Sequence, residues 1–209
     1  MAKIYDRAMR TTEERCLRQW RSELLAQATG ELLEIGAGTG INLPHYPAQI
    51  KTLTVSEPDP HMRNQLQKKL SALTAHQVRV ADWGAEQVDL PDQSIDTIVS
   101  TLVLCSVPSP QQTLRELNRL LRPGGQLLFL EHVIATDSRT VHWQRCCEPL
   151  WRCCCGNCHL TRDTVRSIEA SGMIIEQLRE ADMLTAPAIV RRTMRGRARK
   201  PGPHADNNS

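Results

Sequence analysis

The short apolar run Leu32–Ile35, broken only by Glu34, opens directly into Gly36-Ala37-Gly38-Thr39-Gly40. A strand that ends in alternating glycines must turn sharply, and its bare backbone lets a ligand approach with no side chain in between. Such a turn belongs at the first crossover of a parallel sheet, so it constrains the rest of the chain. It also excludes ligands. A dinucleotide fingerprint places glycine at the first, third and sixth positions, whereas here the third glycine is at the fifth and bulky Ile41 follows it. No Gly-Lys-Ser/Thr follows the turn, so the phosphate cradle of an NTPase is missing as well.

After Glu31 short apolar runs alternate with helical stretches, the pattern of an α/β doubly wound sheet. Strands are expected at Leu32–Ile35, Thr52–Ser56, Gln77–Ala81, Ser94–Thr101 and Gln126–Val133. Helices are expected at Pro60–Leu73 and Pro110–Leu121, the second carrying Leu114, Leu117, Leu120 and Leu121 on one face. Arg122-Pro123-Gly124-Gly125 reads as the turn into the fifth strand. Ahead of the sheet, Arg7–Ala28 places Leu17, Trp20, Leu24 and Leu25 at helical spacing. Beyond Thr140 the pattern weakens to a Trp- and Cys-rich segment ending at His159, a helix over Thr161–Ala170, and strands near Ile174–Leu178 and Ala188–Thr193. The expected organisation is an N-terminal helix over 1–29, a ligand-binding domain over 30–196 with a Cys-rich segment at 142–160, and a disordered basic tail over 197–209.

A chain of 209 residues, 40% of them hydrophobic, builds a core without disulfides or metal; at this length roughly 70% of the unfolded surface is buried. The longest apolar stretch, Ile95–Cys105, contains Asp96, Thr97, Ser100 and Thr101 and is too short to span a bilayer. Met1–Arg10 mixes Lys3, Asp6, Arg7 and Arg10 with isolated apolar residues, unlike a secretory signal, so a cytoplasmic location is expected. Six of the eight cysteines lie between Cys146 and Cys158, which in that compartment favours thiols or a metal over a disulfide framework.

A carboxylate at the end of the second strand, Glu57, stands where a doubly wound fold can bind the two hydroxyls of a ribose. The Glu34–Gly40 turn, Glu57, the Ser94-Ile95-Asp96 start of strand four and the Leu121–Gly125 turn, in that order, resemble class I S-adenosylmethionine-dependent methyltransferases. The resemblance implies a Rossmann-like, seven-stranded sheet with an antiparallel last strand in a three-layer sandwich. The run Thr101–Val107, Glu131-His132-Val133, Trp143-Gln144, Glu148-Pro149, Trp151, Cys158 and Leu160-Thr161-Arg162 are similar to the methyltransferase-like thiol S-methyltransferases of animal endoplasmic reticulum and lipid droplets. Members of that family carry a hydrophobic N-terminal anchor, which Met1–Arg10 does not resemble, and a Cys-Cys pair where this chain has Cys158-His159.

The resemblance implies that Gly36, Gly38 and Gly40 line the methionine part of S-adenosylmethionine, that Glu34 reaches its amino group through water, and that Glu57 binds its ribose. Ala37 and Leu102 complete the expected cofactor-binding set. For adenine the favoured residue is Asp82, with Trp83 as a stacking face; Gly84-Ala85-Glu86 is the alternative alignment.

A sulfonium methyl is already activated, so the protein needs only to hold a nucleophile in line and exclude water; no metal or covalent intermediate is required. The favoured acceptor is a small-molecule thiol, reactive as its thiolate. His132, after strand five, is the candidate base and His142 the second choice, although either also fits an ordinary hydrogen-bonded histidine. Cys105, after strand four, borders both halves of such a site, or is simply a small buried hydrophobe. Cys155 and Cys158 have metal-ligand spacing, with Cys147 as a further ligand if the turn folds back, but no second well-spaced pair exists and no metal site is assigned; the other reading of the segment is a partly buried helix and turn over the acceptor pocket. The basic stretch Arg191, Arg192, Arg195, Arg197, Arg199 and Lys200 is of the kind that meets nucleic acid or an anionic membrane. With 3% aromatics, a nucleic-acid substrate is disfavoured, while peripheral membrane contact stays open. The alternative readings are a lipid or quinone N- or O-methyltransferase, an arsenite methyltransferase, and a non-catalytic cofactor- or metal-sensing module.

Overall fold

The computed structural model describes residues 9–50, 52–70 and 77–202. A π-helical turn at Glu13–Leu17 leads into α1 (Arg18–Leu25). Then follow β1 (Leu32–Ile35), β2 (Thr52–Ser56), α2 (Pro60–Leu70), β3 (Gln77–Ala81), β4 (Ile95–Thr101), α3 (Pro110–Leu120) and β5 (Leu121–His132). The chain continues through α4 (Ser138–Cys154), α5 (Thr164–Ala170), β6 (Ile174–Asp182) and β7 (Arg192–Arg199). The seven strands form one sheet in the order β3-β2-β1-β4-β5-β7-β6. Pairings among β1 to β5 are parallel, and β7 runs antiparallel to both its neighbours.

Side chains that alternate across each strand divide the core into two layers. On one face Leu32, Leu53, Val55, Leu128 and Leu130 pack with Leu17, Leu24 and Leu25 of the N-terminal helix and with Leu66 of α2. On the other, Leu33, Ile35, Ile98, Leu127 and Phe129 pack with Leu114, Leu117 and Leu120 of α3 and Ile168 of α5. Ser109 caps α3 by accepting from the Gln112 N–H at 3.2 Å, and Pro110 at the first helical position loses no hydrogen bond there. The strand order reverses between β1 and β4, and in open sheets of this kind ligands bind in the crevice at the carboxyl ends of the strands flanking that point.

The first five strands lie where the sequence places them, and residues 71–73 of the expected helix after β2 fall outside the described residues. The Arg122–Gly125 turn is drawn into β5, because Gly124 N–H donates to the Lys200 carbonyl and Lys200 N–H to that of Gly125. The Trp- and Cys-rich segment is a helix followed by a turn: α4 is docked by buried Gln144, which accepts from Ala135 N–H at 2.9 Å and donates to the Ile189 carbonyl at 3.0 Å. The last strand is misplaced in the sequence reading: it covers Arg192–Arg199, not Ala188–Thr193, so residues 197–199 are sheet and not tail. Residues 203–209 lie outside the described set.

The basic run in β7 is also not a free patch. Glu176 of β6 pairs with Arg197 and Arg199 at 2.9 and 2.6 Å, Glu180 with Arg192 at 2.8 Å, and Glu23 of α1 with Arg195 at 3.2 Å. Gly196 allows the closest approach in this hairpin, since a Cβ there would collide with the backbone carbonyl of Gln177 and touch the Phe129 ring. Gly196→Ala is therefore expected to lower stability by about 1–3 kcal/mol, the usual cost of overpacking. Urea denaturation should show a lower midpoint; an unchanged midpoint would mean that β6 does not pack as described.

Candidate active site

Gly36, Gly38 and Gly40 all adopt positive φ, 57°, 57° and 79°, but their surroundings differ. A Cβ on Gly36 would strike Val103, and one on Gly40 would strike Leu66 and Leu43, so these two glycines serve close packing. Gly38 has only Met62 Sδ at 4.0 Å, which leaves its backbone open to a ligand. Buried Ala37 ties the turn to β2 by donating its N–H to the Ser56 carbonyl at 2.9 Å.

Beneath the turn Glu34 is fully buried, accepting from Tyr46 Oη at 2.7 Å and Asn42 Nδ2 at 2.8 Å. Burial raises its carboxyl to about 7, against the pull of those two donors and of Arg21. Arg21 of α1, itself buried, donates to Asn42 Oδ1 at 2.8 Å and Thr101 Oγ1 at 2.9 Å, and pairs with Glu13 at 3.1 Å. The N-terminal helix is thus wired through Asn42 to the base of the glycine turn. Both Glu34 oxygens are engaged by side chains that no motif or spacing singles out.

Glu57 is 6% exposed, and its two oxygens accept from Gly38 N–H at 2.7 Å and Asp59 N–H at 2.9 Å. Burial raises its carboxyl above the ordinary range. Each oxygen retains acceptor capacity, as a carboxylate offers about four lone-pair sites. Asp82 is exposed just past β3, and Trp83 is half-buried with the Arg79 guanidinium 4.9 Å from its ring centroid. Leu102, the first residue after β4, has a left-handed conformation, φ 59°, rare for a leucine, with its N–H donated to the Leu130 carbonyl at 2.8 Å. Gly38, Glu57 and Leu102 together place an open backbone, a carboxylate and a bent strand end at the same edge of the sheet.

Glu131, which the sequence reading did not assign a role, organises the neighbouring loop. Fully buried at the carboxyl end of β5, it accepts from Ser100 Oγ at 2.8 Å and from the N–H groups of Val103, Leu104 and Cys105 at 3.0, 3.1 and 3.2 Å. Burial raises its carboxyl, opposed by these four donors. The next residue, His132, is 2% exposed and meets Cys158, whose Sγ lies 3.6 Å from Nδ1 and 3.9 Å from Nε2. The same sulfur is 3.9 Å from Cys105 Sγ. Hydrogen bonds from Cys105 and then from His132 hold the Cys158 thiol well below the ordinary thiol range, while the bond to Cys158 and burial push Cys105 well above it.

The segment carrying Cys158 is stitched onto the loop after β4. Asn157 Nδ2 donates to the Ser106 carbonyl at 2.8 Å, His159 N–H to that of Cys105 at 2.9 Å, and Arg162 Nη1 to that of Leu104 at 2.8 Å. Glu148 of α4 holds the far end, accepting from Thr161 N–H at 2.9 Å and Thr161 Oγ1 at 2.6 Å. The remaining candidates do not converge there: His142, Cys146, Cys153, Cys154 and Cys155 are exposed. Among the described residues the compact ligand set is Cys105, His132 and Cys158, so the Cys155–Cys158 spacing does not mark it.

Residues 33–129 match the family model described as a methyltransferase domain. Over 141 residues, 66% of this chain, it is 42% identical to thiol S-methyltransferase TMT1B of Rattus norvegicus, covering 57% of that protein. It is 38% identical to thiol S-methyltransferase TMT1A of Homo sapiens, again over 66% of this chain and 57% of that protein. The chain therefore spans less than two thirds of the length of these curated relatives. A SAM-dependent methyltransferase from Methanosarcina mazei superposes with a TM-score of 0.69 at 17% identity, over 87% of this chain and 97% of the other. The N-methyltransferase NodS from Bradyrhizobium japonicum, in complex with S-adenosyl-l-homocysteine, gives 0.66 at 18% identity over 88% and 87%. At such identities the two structures establish the fold alone, a Rossmann-like α/β sheet. No helix among the described residues is long and apolar enough to cross a membrane.

Glu34 makes the site's stability pH-dependent. Its folded value, about 7, lies above the ordinary carboxylate value of 4.5, so its contribution is fully present below pH 4.5 and is lost as pH rises through about 7. Stability measured by denaturant titration should fall across that window in the wild type, and Glu34→Gln should flatten this component. An unchanged slope in Glu34→Gln would show that Glu34 is not the group responsible.

Proposed function

We propose that this chain binds S-adenosylmethionine at the β1–β2–β4 edge and transfers its methyl group to a small-molecule thiol. The observation that carries the reading is the 42% identity to a thiol S-methyltransferase over a stretch of 141 residues, with a His–Cys cluster at the strand ends beside the glycine turn. When bound, the cofactor supplies an activated sulfonium methyl. The residues fit it: Gly38 leaves its backbone clear, and Glu57, anchored by two N–H groups, presents remaining lone pairs to the two ribose hydroxyls. Gly36, Ala37 and Gly40 fix the path of the turn, and Glu34 holds it from below through Asn42 and Tyr46 instead of facing the ligand directly. Leu102 sets the wall where β4 ends. Asp82, exposed after β3, is the proposed adenine partner, and Trp83 the adjoining apolar surface.

On the acceptor side the chain's task is to present sulfur as thiolate. The buried His132 and the low-titrating Cys158 stand at that edge, and the role proposed for His132 is to promote ionisation of the acceptor thiol. Thiols, being intrinsically strong nucleophiles once ionised, then need only alignment with the methyl group. The location proposed is cytoplasmic.

Two measurements test this reading. Glu57→Ala should weaken S-adenosylmethionine binding at least about tenfold by calorimetry, through loss of charge-assisted hydrogen bonds worth about 1.5–3 kcal/mol, while joint replacement of the exposed Cys153, Cys154 and Cys155 by serine should leave affinity unchanged. Release of S-adenosylhomocysteine should accompany addition of alkyl or aryl thiols and exceed that with amine, phenol or arsenite acceptors. Unchanged affinity in Glu57→Ala removes that residue from the site, and cofactor binding without turnover on any thiol removes the acceptor.

A further inference from the structure

Three side chains meet at the carboxyl edge from three separate segments: Cys105 from the loop after β4, His132 from the end of β5 and Cys158 from the loop after α4. Their ligand atoms lie within 4.8 Å of one another. Two of the separations are close to the edges of one polyhedron. A tetrahedral zinc with bonds of about 2.3 Å to sulfur and 2.0–2.1 Å to nitrogen has edges of about 3.8 Å between sulfurs and about 3.6 Å between sulfur and nitrogen. The structure has 3.9 Å from Cys158 Sγ to Cys105 Sγ and 3.6 Å from Cys158 Sγ to His132 Nδ1, with Nε2 of the same ring 3.9 Å from that sulfur, so a turn of the imidazole is needed to aim one nitrogen at the ion.

The set is also built to stay together. The Glu131 carboxylate fixes the backbone of Cys105, and three hydrogen bonds from Asn157, His159 and Arg162 clamp the loop bearing Cys158 onto the loop bearing Cys105. Cys105 and His132 are buried, whereas Cys158 is only partly covered, so an approach from outside exists on its side. Two thiolates and an imidazole are soft to borderline ligands suited to zinc, and three protein ligands leave a fourth position free for an exchangeable group.

We propose that Cys105, His132 and Cys158 hold a zinc ion whose fourth position takes the sulfur of the acceptor thiol. The zinc site stands on its own geometry; the identity of the fourth ligand rests on the thiol methyltransferase reading above. Zinc favours the thiolate form of a coordinating thiol, so the acceptor loses its S–H proton to solvent on binding, and His132 acts as a ligand in this step. Methyl transfer then forms one carbon–sulfur bond to the acceptor and breaks the sulfonium carbon–sulfur bond, whose electron pair stays on the donor sulfur. The product is a neutral thioether, a weaker ligand than the thiolate, which dissociates.

The test uses the full chain purified with zinc in the medium and dialysed against metal-free buffer. Elemental analysis should find stoichiometric zinc, falling to background in Cys158→Ala and in Cys105→Ala and restored in Cys158→His, with Cys153→Ser retaining it. Circular dichroism would confirm folding of each variant. Cobalt substituted for zinc should show a thiolate-to-metal absorption band that shifts when an alkyl thiol is added without cofactor. Calorimetry with S-adenosylmethionine on the same samples separates the two readings. Loss of cofactor binding with the zinc and the thiol-induced shift retained would overturn the methyltransferase reading and support the site. Normal cofactor binding with zinc at background in the wild type would overturn the proposal, as would equal zinc in all folded variants, a cobalt band indifferent to thiols, or a Cys105–Cys158 disulfide in the freshly purified protein.

Discussion

A single buried carboxylate, that of Glu131, holds the reactive edge of this molecule in place. It sits at the end of a strand whose preceding residues, Leu127 to Leu130, are fully buried, and it is surrounded by four donors, three of them consecutive backbone N–H groups. A charge in such a place is tolerated only because the donors replace its hydration. The consequence is positional. The loop that leaves β4 at Leu102 cannot wander, so Val103 closes against Gly36 on one side while Cys105 faces Cys158 and His132 on the other. The nucleoside half and the proposed acceptor half of the site are thereby fixed to the same few backbone atoms.

A second carboxylate, Glu34, has the corresponding role on the central strand β1. Tyr46 and Asn42 satisfy it, and Asn42 passes the connection on to Arg21 of the N-terminal helix. The helix that precedes the sheet therefore belongs to the support of the glycine turn. This also explains why Arg21 and Glu13 are buried together in a helical segment whose other charged positions face water.

The features of the fold that could be read from sequence were those whose physics is local. Strands β1, β2, β4 and the later part of β5 are largely buried on both faces and so stand out as short runs of apolar and β-branched residues, and the glycine turn and Glu57 lie within the single connection from β1 to the end of β2, so spacing alone places them. β7 escaped the same reading because its arginines look like those of a solvated tail. Its partners, Glu176, Glu180 and Glu23, come from β6 and α1, and only the assembled hairpin and helix bring them to it. The cysteine cluster misled in a related way. Attention to Cys155 and Cys158, neighbours in sequence, missed that Cys158 faces Cys105 and His132, each at or just beyond the end of an adjacent central strand. The sequence places the last two after strands four and five; nothing periodic in the loop after α4 indicated that Cys158 would join them. Glu34 begins the glycine motif, and the resemblance implies that it reaches the cofactor through water; the Asn42 and Tyr46 side chains that hold its carboxylate were not marked by any spacing.

The claim on which this account depends is that Glu131 fixes the loop joining the two halves of the site. Amide hydrogen exchange, followed residue by residue in the wild type and in Glu131→Ala, tests it most directly. The account predicts that the amides of Val103, Leu104 and Cys105 are strongly protected in the wild type and lose protection in Glu131→Ala, while those of β1 and β2 stay protected. Equal protection of the three loop amides in both proteins would contradict it.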